Sequence, residues 1–208
     1  MDSKEYFNQV APQWNRLQES FFSNTVRDKA LSIAKVQPGH LAADVGCGTG
    51  FITEWLIDRG LKVIAIDRSQ AMLSEMKSKF AGKENLIDYR LGESGELPIL
   101  DATVDYAFAN MYLHHVENPI VAIKEMARIL KPGGTLVITD LDEHSHEFLR
   151  HEHNDRWMGF KRDEVRRWFK EADLKDVILD CVGENCCTAS SCGKEKAKIS
   201  IFVGTGKK

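Results

Sequence analysis

The chain has 208 residues, a length suited to one domain that buries a full core without disulfide or metal staples. Hydrophobic residues make up 43% and charged residues 28%, which excludes a disordered or fibrous chain. The net charge of −3 and pI near 6.2 speak against a nucleic-acid partner, which selects for a basic surplus. No run of 18 apolar residues suggests a membrane span, and the polar start Met1-Asp2-Ser3-Lys4-Glu5 lacks a signal-peptide core. The expected location is cytoplasmic.

Residues 1–39 read as helical, with Val26, Ala30, Ile33 and Ala34 on one face, and are expected to cap the rest of a single 1–208 domain. From residue 40 short apolar runs alternate with amphipathic stretches. Leu41 to Val45 reads as a strand, and a glycine turn leads into a helix carrying Ile52, Trp55 and Leu56. Lys62 to Ile66 is a second strand ending at Asp67. Ser69 is a helix N-cap, and Met72, Leu73, Met76 and Phe80 form the helix face behind it. Strands follow at 86–90 and 104–109. Asn118-Pro119 opens a helix with the stripe Ile120, Ile123, Ala127 and Leu130, which Lys131-Pro132-Gly133-Gly134 stops. Thr135 to Thr139 is apolar on both faces, as a central parallel strand is. Val165, Trp168, Phe169 and Ala172 mark one more helix, and 177–182 and 199–203 two last strands. This alternation predicts an α/β fold: a doubly wound, mostly parallel sheet with helices on both faces.

Two features point to a nucleotide-like ligand. Asp44-Val45-Gly46-Cys47-Gly48-Thr49-Gly50 lies between the first strand and first sheet-packing helix, where glycines permit a tight turn and close ligand approach. Asp67 ends the second strand, where a carboxylate meets ribose hydroxyls. The glycine pattern is G-x-G-x-G, with Phe51 beyond it, rather than the G-x-G-x-x-G of dinucleotide sites, so NAD is the weaker alternative.

With Gly92-Glu93-Ser94-Gly95-Glu96-Leu97-Pro98, Asn110-Met111-Tyr112-Leu113-His114-His115-Val116 and Leu130-Lys131-Pro132-Gly133-Gly134 in order, the chain resembles the class I S-adenosylmethionine-dependent methyltransferases, small-molecule type. The resemblance implies a seven-stranded Rossmann-like sheet with an antiparallel last strand. It implies S-adenosyl-L-methionine as cofactor, with Gly46, Gly48 and Gly50 at its amino-acid end and Asp44 near its ammonium. Asp67 would hold the ribose, Glu93 and Ser94 the adenine, and Asn110 the methionine portion. Glu93-Ser94 stands where the family usually carries Asp-Ala.

The acceptor is expected beyond the carboxyl ends of the strands. Candidates for proton handling there are His114, His115 and Asp140. Of five cysteines, Cys47 reads as a packing residue and Cys181 as a buried strand residue. The other three, Cys186, Cys187 and Cys192, fall in an expected loop, 183–193. If they converge, they offer a soft site for a metal or a metalloid such as arsenite; adjacent cysteines would diverge in a regular strand. The chain also resembles the arsenite and quinone-biosynthesis methyltransferases. An organic acceptor methylated on oxygen, nitrogen or carbon is the alternative, as is a metal-binding sensor that kept the fold. His144, His146, His151 and His153 are read as a solvated helical face, with metal ligation the competing reading. Tyr6, Phe7 and Trp14 suggest a lid over the cofactor, with ordinary packing on the domain surface as the alternative.

Overall fold

A computed structural model describes residues 3–21, 24–190 and 195–208. Three helices come first: α1 (Ser3–Val10), α2 (Trp14–Phe21) and α3 (Asn24–Ala34). Then follow β1 (Leu41–Val45), α4 (Phe51–Asp58), β2 (Lys62–Asp67), α5 (Gln70–Lys79), β3 (Ile87–Leu91) and β4 (Val104–Asn110). The chain closes with α6 (Pro119–Ile129), β5 (Leu130–Leu141), α7 (Glu147–Glu152), α8 (Arg162–Glu171), β6 (Lys175–Ala189) and β7 (Lys196–Lys207). The seven strands form one sheet in the order β3-β2-β1-β4-β5-β7-β6. All pairings from β3 to β5 are parallel, and β7 runs antiparallel between β5 and β6. The strand order reverses at β1/β4, so a crevice opens beyond the carboxyl ends of those two strands.

The strands are buried on both faces, and their side chains alternate between two cores. Ala42, Val63, Ala65 and Phe108 pack with Leu56, Met76 and the α3 residues Val26 and Leu31. Ala43, Ile64, Ile66 and Ala107 pack with Ile123, Met126, Val165 and Phe169 on the opposite face. Ser69 caps α5 as expected, its Oγ accepting from Met72 N–H at 3.1 Å. Phe169 fits because β7 has glycine opposite it: a Cβ at Gly206 would stand 3.0 Å from the ring's Cδ1 and one at Gly204 3.3 Å from its Cζ.

The C-terminal end departs from the sequence reading. Residues expected as a loop after 182 continue as strand to Ala189, paired with β7 from Asn185↔Ser200 to Ala189↔Lys196. An irregularity between Cys181 and Asn185, with Gly183 at φ 87°, re-aims the strand before pairing resumes. The partner strand carries the signal: Ala197, Ile199 and Ile201 are buried, alternating with exposed Lys196 and Lys198. The polar 183–189 segment shows no such alternation and acquires its strand form by pairing.

Candidate functional site

The glycine loop is built for backbone shape. Gly46, Gly48 and Gly50 have φ of 70°, 51° and 89°, a region that disfavours any residue with a Cβ. At Gly46 the constraint is doubled, because a Cβ there would run into the ring of Tyr112. Asp67 fixes the loop from the next strand: its Oδ2 accepts from Gly48 N–H at 2.9 Å and its Oδ1 from Ser69 N–H at 2.8 Å. Burial raises the Asp67 pKa, partly offset by those two N–H groups and by Arg68. Asp44 is fully buried, and its Oδ2 accepts from both Thr53 N–H (3.0 Å) and Thr53 Oγ1–H (2.6 Å), tying β1 to α4. Burial pushes its pKa up to about 7 against those bonds.

These residues line a cleft of about 640 Å³. Asp44, Gly46, Gly48, Asp67, Glu93, Ser94 and Asn110 all border it. Asn110 Oδ1 accepts from Thr139 Oγ1–H at 2.6 Å, so its side chain is held in place. Glu93 is exposed and lies 3.9 Å from Arg68 Nε, while Ser94 shares a hydrogen bond with the Tyr112 hydroxyl. Gly50 does not border the cleft; it forms the left-handed entry to α4, packed against Phe80 and Met76. Ser3, Phe7, Trp14 and Gln18 close the cleft from the N-terminal helices. Those helices are pinned by Asn8 Oδ1, which accepts from Ser69 Oγ–H (2.7 Å), and Asn15 Oδ1, which accepts from Thr49 Oγ1–H (2.6 Å).

Beside the cleft lies a smaller, mostly apolar compartment of about 60 Å³, lined by Tyr6, Trp14, Phe21, Met111, Leu149 and Thr188 among others. Trp14, Met111, His115 and Asp155 border both spaces. His114 and His115 occupy a 3₁₀ turn, Leu113–His115, just past β4. Asp140, fully buried near the end of β5, accepts from Leu113 N–H (2.8 Å) and Leu141 N–H (2.8 Å). It therefore acts as acceptor toward His114 Nδ1 at 2.6 Å, and His114 turns its Nε2 toward Asp155 Oδ1, 3.8 Å away. Burial opposes charge on His114, but Asp140 and Asp155 outweigh it and push its pKa up to about 9. Loss of solvation, with the charge of His114 beside it, holds half-buried His115 well below its usual value. Burial raises Asp155 to about 6, with His114 opposing. Asp140 borders neither space; its contact is with His114 rather than with the walls of either.

Sequence reasoning did not single out Asp155 as a site residue. The fold delivers it: Arg156 N–H and Trp157 N–H donate to His114 O at 2.9 and 3.0 Å, and Trp157 Nε1–H donates to Val116 O at 2.9 Å. Those bonds clamp the 154–157 segment onto the histidine turn. The Asp-Arg-Trp run was the available signal, but nothing local tells which turn it docks on.

The cysteine reading needs correction. In strand β6 neighbours point to opposite faces. Cys186 is buried and borders the small compartment; Cys187 is exposed on the other side. The two do not converge, and Cys192 lies outside the described residues. Cys181 is half-buried rather than buried. Burial pushes the Cys186 thiol up to about 12, so it enters as a thiol. The histidine reading also changes. Helix α7 is short, and of the four histidines only His151 is exposed. His153 faces the small compartment, 3.4 Å from the Tyr6 hydroxyl, and packs edge-on against Phe21.

Residues 43–138 match the family described as "Methyltransferase domain". The chain is 36% identical over 125 residues to a demethylmenaquinone methyltransferase of Bacillus pumilus, covering 56% of this chain and 52% of that protein. The chain spans about half the length of the curated relatives it matches, or less. Among solved structures it superposes on a methyltransferase of Haloferax volcanii, determined in complex with the activator Trm112, at TM-score 0.79. Identity there is 21%, with 97% of this chain and 96% of that chain covered. It superposes equally on the [4+2]-cyclase SpnF, with TM-score 0.79, 17% identity and coverage of 99% and 94%. The likeness to these two structures is one of fold, and reaction type belongs to the site.

Proposed function

We propose that this chain, whose residues 43–138 match a methyltransferase domain, is a class I S-adenosylmethionine-dependent methyltransferase that uses S-adenosyl-L-methionine as its cofactor and methylates a small acceptor seated in the compartment next to the cleft. The observation that carries this reading is the junction. Trp14, Met111, His115 and Asp155 border both spaces, so a donor in one meets an acceptor in the other. Methyl transfer is an in-line displacement, for which holding the two reactants in line supplies much of the acceleration.

In this reading Asp67 accepts from the ribose hydroxyls, since each carboxylate oxygen binds one N–H and retains a further lone pair. Asp44 faces the ammonium and Asn110 the methionine portion, with Glu93 and Ser94 at the adenine. Gly46 and Gly48 let the backbone approach, and Gly50 starts α4. Residues 1–208 act as one unit in which 1–39 form the cap, and Phe7 and Trp14 exclude water from the cleft. Neutral His115 takes the acceptor's proton, and His114, oriented by Asp140, donates a hydrogen bond from Nε2 to the nucleophilic atom.

The acceptor end is small, because about 60 Å³ holds roughly four to six water-sized centres. A second reading follows from Cys186, whose thiol borders that compartment: a trivalent metalloid such as arsenite, bound through this one sulfur rather than through a Cys186–Cys187 pair. The four described cysteines are free thiols, which supports a reducing compartment such as the cytoplasm. The experiment is S-adenosylhomocysteine release across arsenite with excess thiol and a panel of small phenols, thiols and amines. Turnover on an organic acceptor that persists in Cys186→Ser supports the first reading. Arsenite turnover lost in Cys186→Ser and kept in Cys187→Ser supports the second. Cofactor binding without turnover on any acceptor of the panel counts against both.

A further inference from the structure

His115 and Asp155 line the junction, and His114 stands beside them on the wall of the small compartment. Each offers one ligand atom, and the three atoms lie within 4.8 Å of one another. Asp155 Oδ1 stands 3.8 Å from His114 Nε2 and 3.8 Å from His115 Nδ1, beyond hydrogen-bond reach of either, and His115 Nδ1 has only a long 3.4 Å contact with Asn154 O, which a bound ion would replace. Around a tetrahedral ion with ligands near 2.0–2.1 Å, neighbouring donor atoms sit about 3.3 Å apart, so each histidine–Asp155 pair needs to close by about half an ångström and the histidine pair by at most about 1.5 Å.

The surroundings are those of a metal site. His114 donates a hydrogen bond from Nδ1–H to a buried carboxylate, Asp140, which directs Nε2 toward Asp155, where a bound ion takes the place of the Nε2 proton; a carboxylate behind a histidine is the usual way a ligand ring is oriented. Asp140 is fixed in turn by two backbone N–H groups. Asp155 is clamped through its neighbours onto the histidine turn. Met111 (φ 49°) and Asn154 (φ 58°) flank the group in the left-handed region, and such strain gathers where a fold holds ligands in place. The compartment beside the three donors adds Cys186 and a buried His153 Nε2 without a hydrogen-bond partner.

We infer that His114, His115 and Asp155 bind a divalent first-row transition ion of borderline softness, with Zn²⁺ or Co²⁺ as the fitting ions, leaving one coordination position open to the small compartment. Two imidazoles and one carboxylate with an open position suit such ions; Mg²⁺ and Ca²⁺ prefer oxygen donors. The binding of the ion stands apart from the methyl-transfer reading, but its task rests on that reading. An acceptor O–H or S–H that coordinates at the open position loses its proton to solvent. Its oxygen or sulfur then bonds to the methyl carbon as the carbon–sulfonium bond breaks, and the electron pair of that bond stays on the departing sulfur. His115 is then a ligand, and the ion replaces it in activating the acceptor.

The test uses the full, untagged chain, stripped with chelator and desalted, then titrated with Co²⁺ while visible d–d absorption is followed and Zn²⁺ is added as competitor. The expected result is one Co²⁺ per chain, displaced by Zn²⁺, with uptake lost in His115→Ala and Asp155→Asn and retained in His151→Ala. Asp140→Asn weakens uptake about 10–100-fold by releasing the His114 ring. Thermal unfolding identifies any variant that fails to fold, and the wild-type titration is decisive without them. No Co²⁺ or Zn²⁺ uptake by the wild-type chain overturns the inference, as does equal uptake by folded His115→Ala and Asp155→Asn. S-adenosylhomocysteine binding, measured by calorimetry on the same sample, reads the cleft separately. Its loss with Co²⁺ uptake intact strikes the methyl-transfer reading and leaves the metal site standing.

Discussion

Replacing Gly46 by alanine tests the architecture of the cleft. Its φ of 70° places an L-residue in the left-handed region, which costs about 1–2 kcal/mol. The new methyl group also meets the Tyr112 ring, whose Cγ would lie 3.0 Å away, and overpacking of this kind costs about 1–3 kcal/mol. Tyr112 cannot yield freely, because its hydroxyl is bonded to Ser94 and its half-buried ring packs against the core. The sum is a loss of about 2–5 kcal/mol, or a fall in Tm of about 4–20 °C for a chain of this size. Gly39→Ala is the control: its φ is 81°, but nothing lies within 4 Å of the added Cβ, so it reads the backbone penalty alone. Differential scanning fluorimetry of both variants should show Gly46→Ala worse by the overpacking contribution. Calorimetry should show weaker S-adenosylhomocysteine binding for Gly46→Ala only, since Tyr112 and Ser94 line the cleft. Equal Tm values for the two variants, with cofactor affinity unchanged, would refute the reasoning.

In the proposed site, Asp44 should make cofactor binding pH-dependent. Its free-chain pKa is raised to about 7, and an ammonium brought beside it favours the ionised form, so binding releases a proton below that pH. S-adenosylhomocysteine affinity should therefore rise with pH up to about 7 and level off above it, and this dependence should vanish in Asp44→Asn. Asp67→Ala removes the acceptor of Gly48 N–H and of the proposed ribose hydroxyls. Hydrogen bonds to a charged group contribute about 1.5–3 kcal/mol each, so cofactor affinity should fall by at least about 10-fold; calorimetry giving an unchanged Kd would remove the ribose assignment. Asp140→Ala leaves His114 and Leu113 N–H without their buried partner, and breaking such a pair costs about 3–5 kcal/mol, readable as a lower denaturation midpoint. In the milder Asp140→Asn, kcat should drop more than KM changes if, as proposed, Asp140 orients His114 without touching the acceptor.

Local pattern was enough for the sheet. The apolar runs at 41–45, 62–66 and 104–109 and the helix stripes between them carry their own periodicity, and each lies within or beside the element observed. The glycine loop and Asp67 were legible for the same reason: a left-handed turn between strand and helix admits few residues, so the requirement is written in the loop itself. Cys186 and Cys187 show where that legibility stops. Whether adjacent thiols converge depends on whether their segment is loop or strand, and strand pairing with β7 across a dozen residues settled it. Asp155 shows it again, since its place against His114 comes from hydrogen bonds between segments some forty residues apart. The sequence by itself determined the α/β order, the glycine loop and the acidic end of β2, because turn geometry and side-chain periodicity are short-range properties. The tertiary structure alone decided which imidazoles, carboxylates and thiols share the small compartment, because that depends on strand register and loop docking, which are long-range.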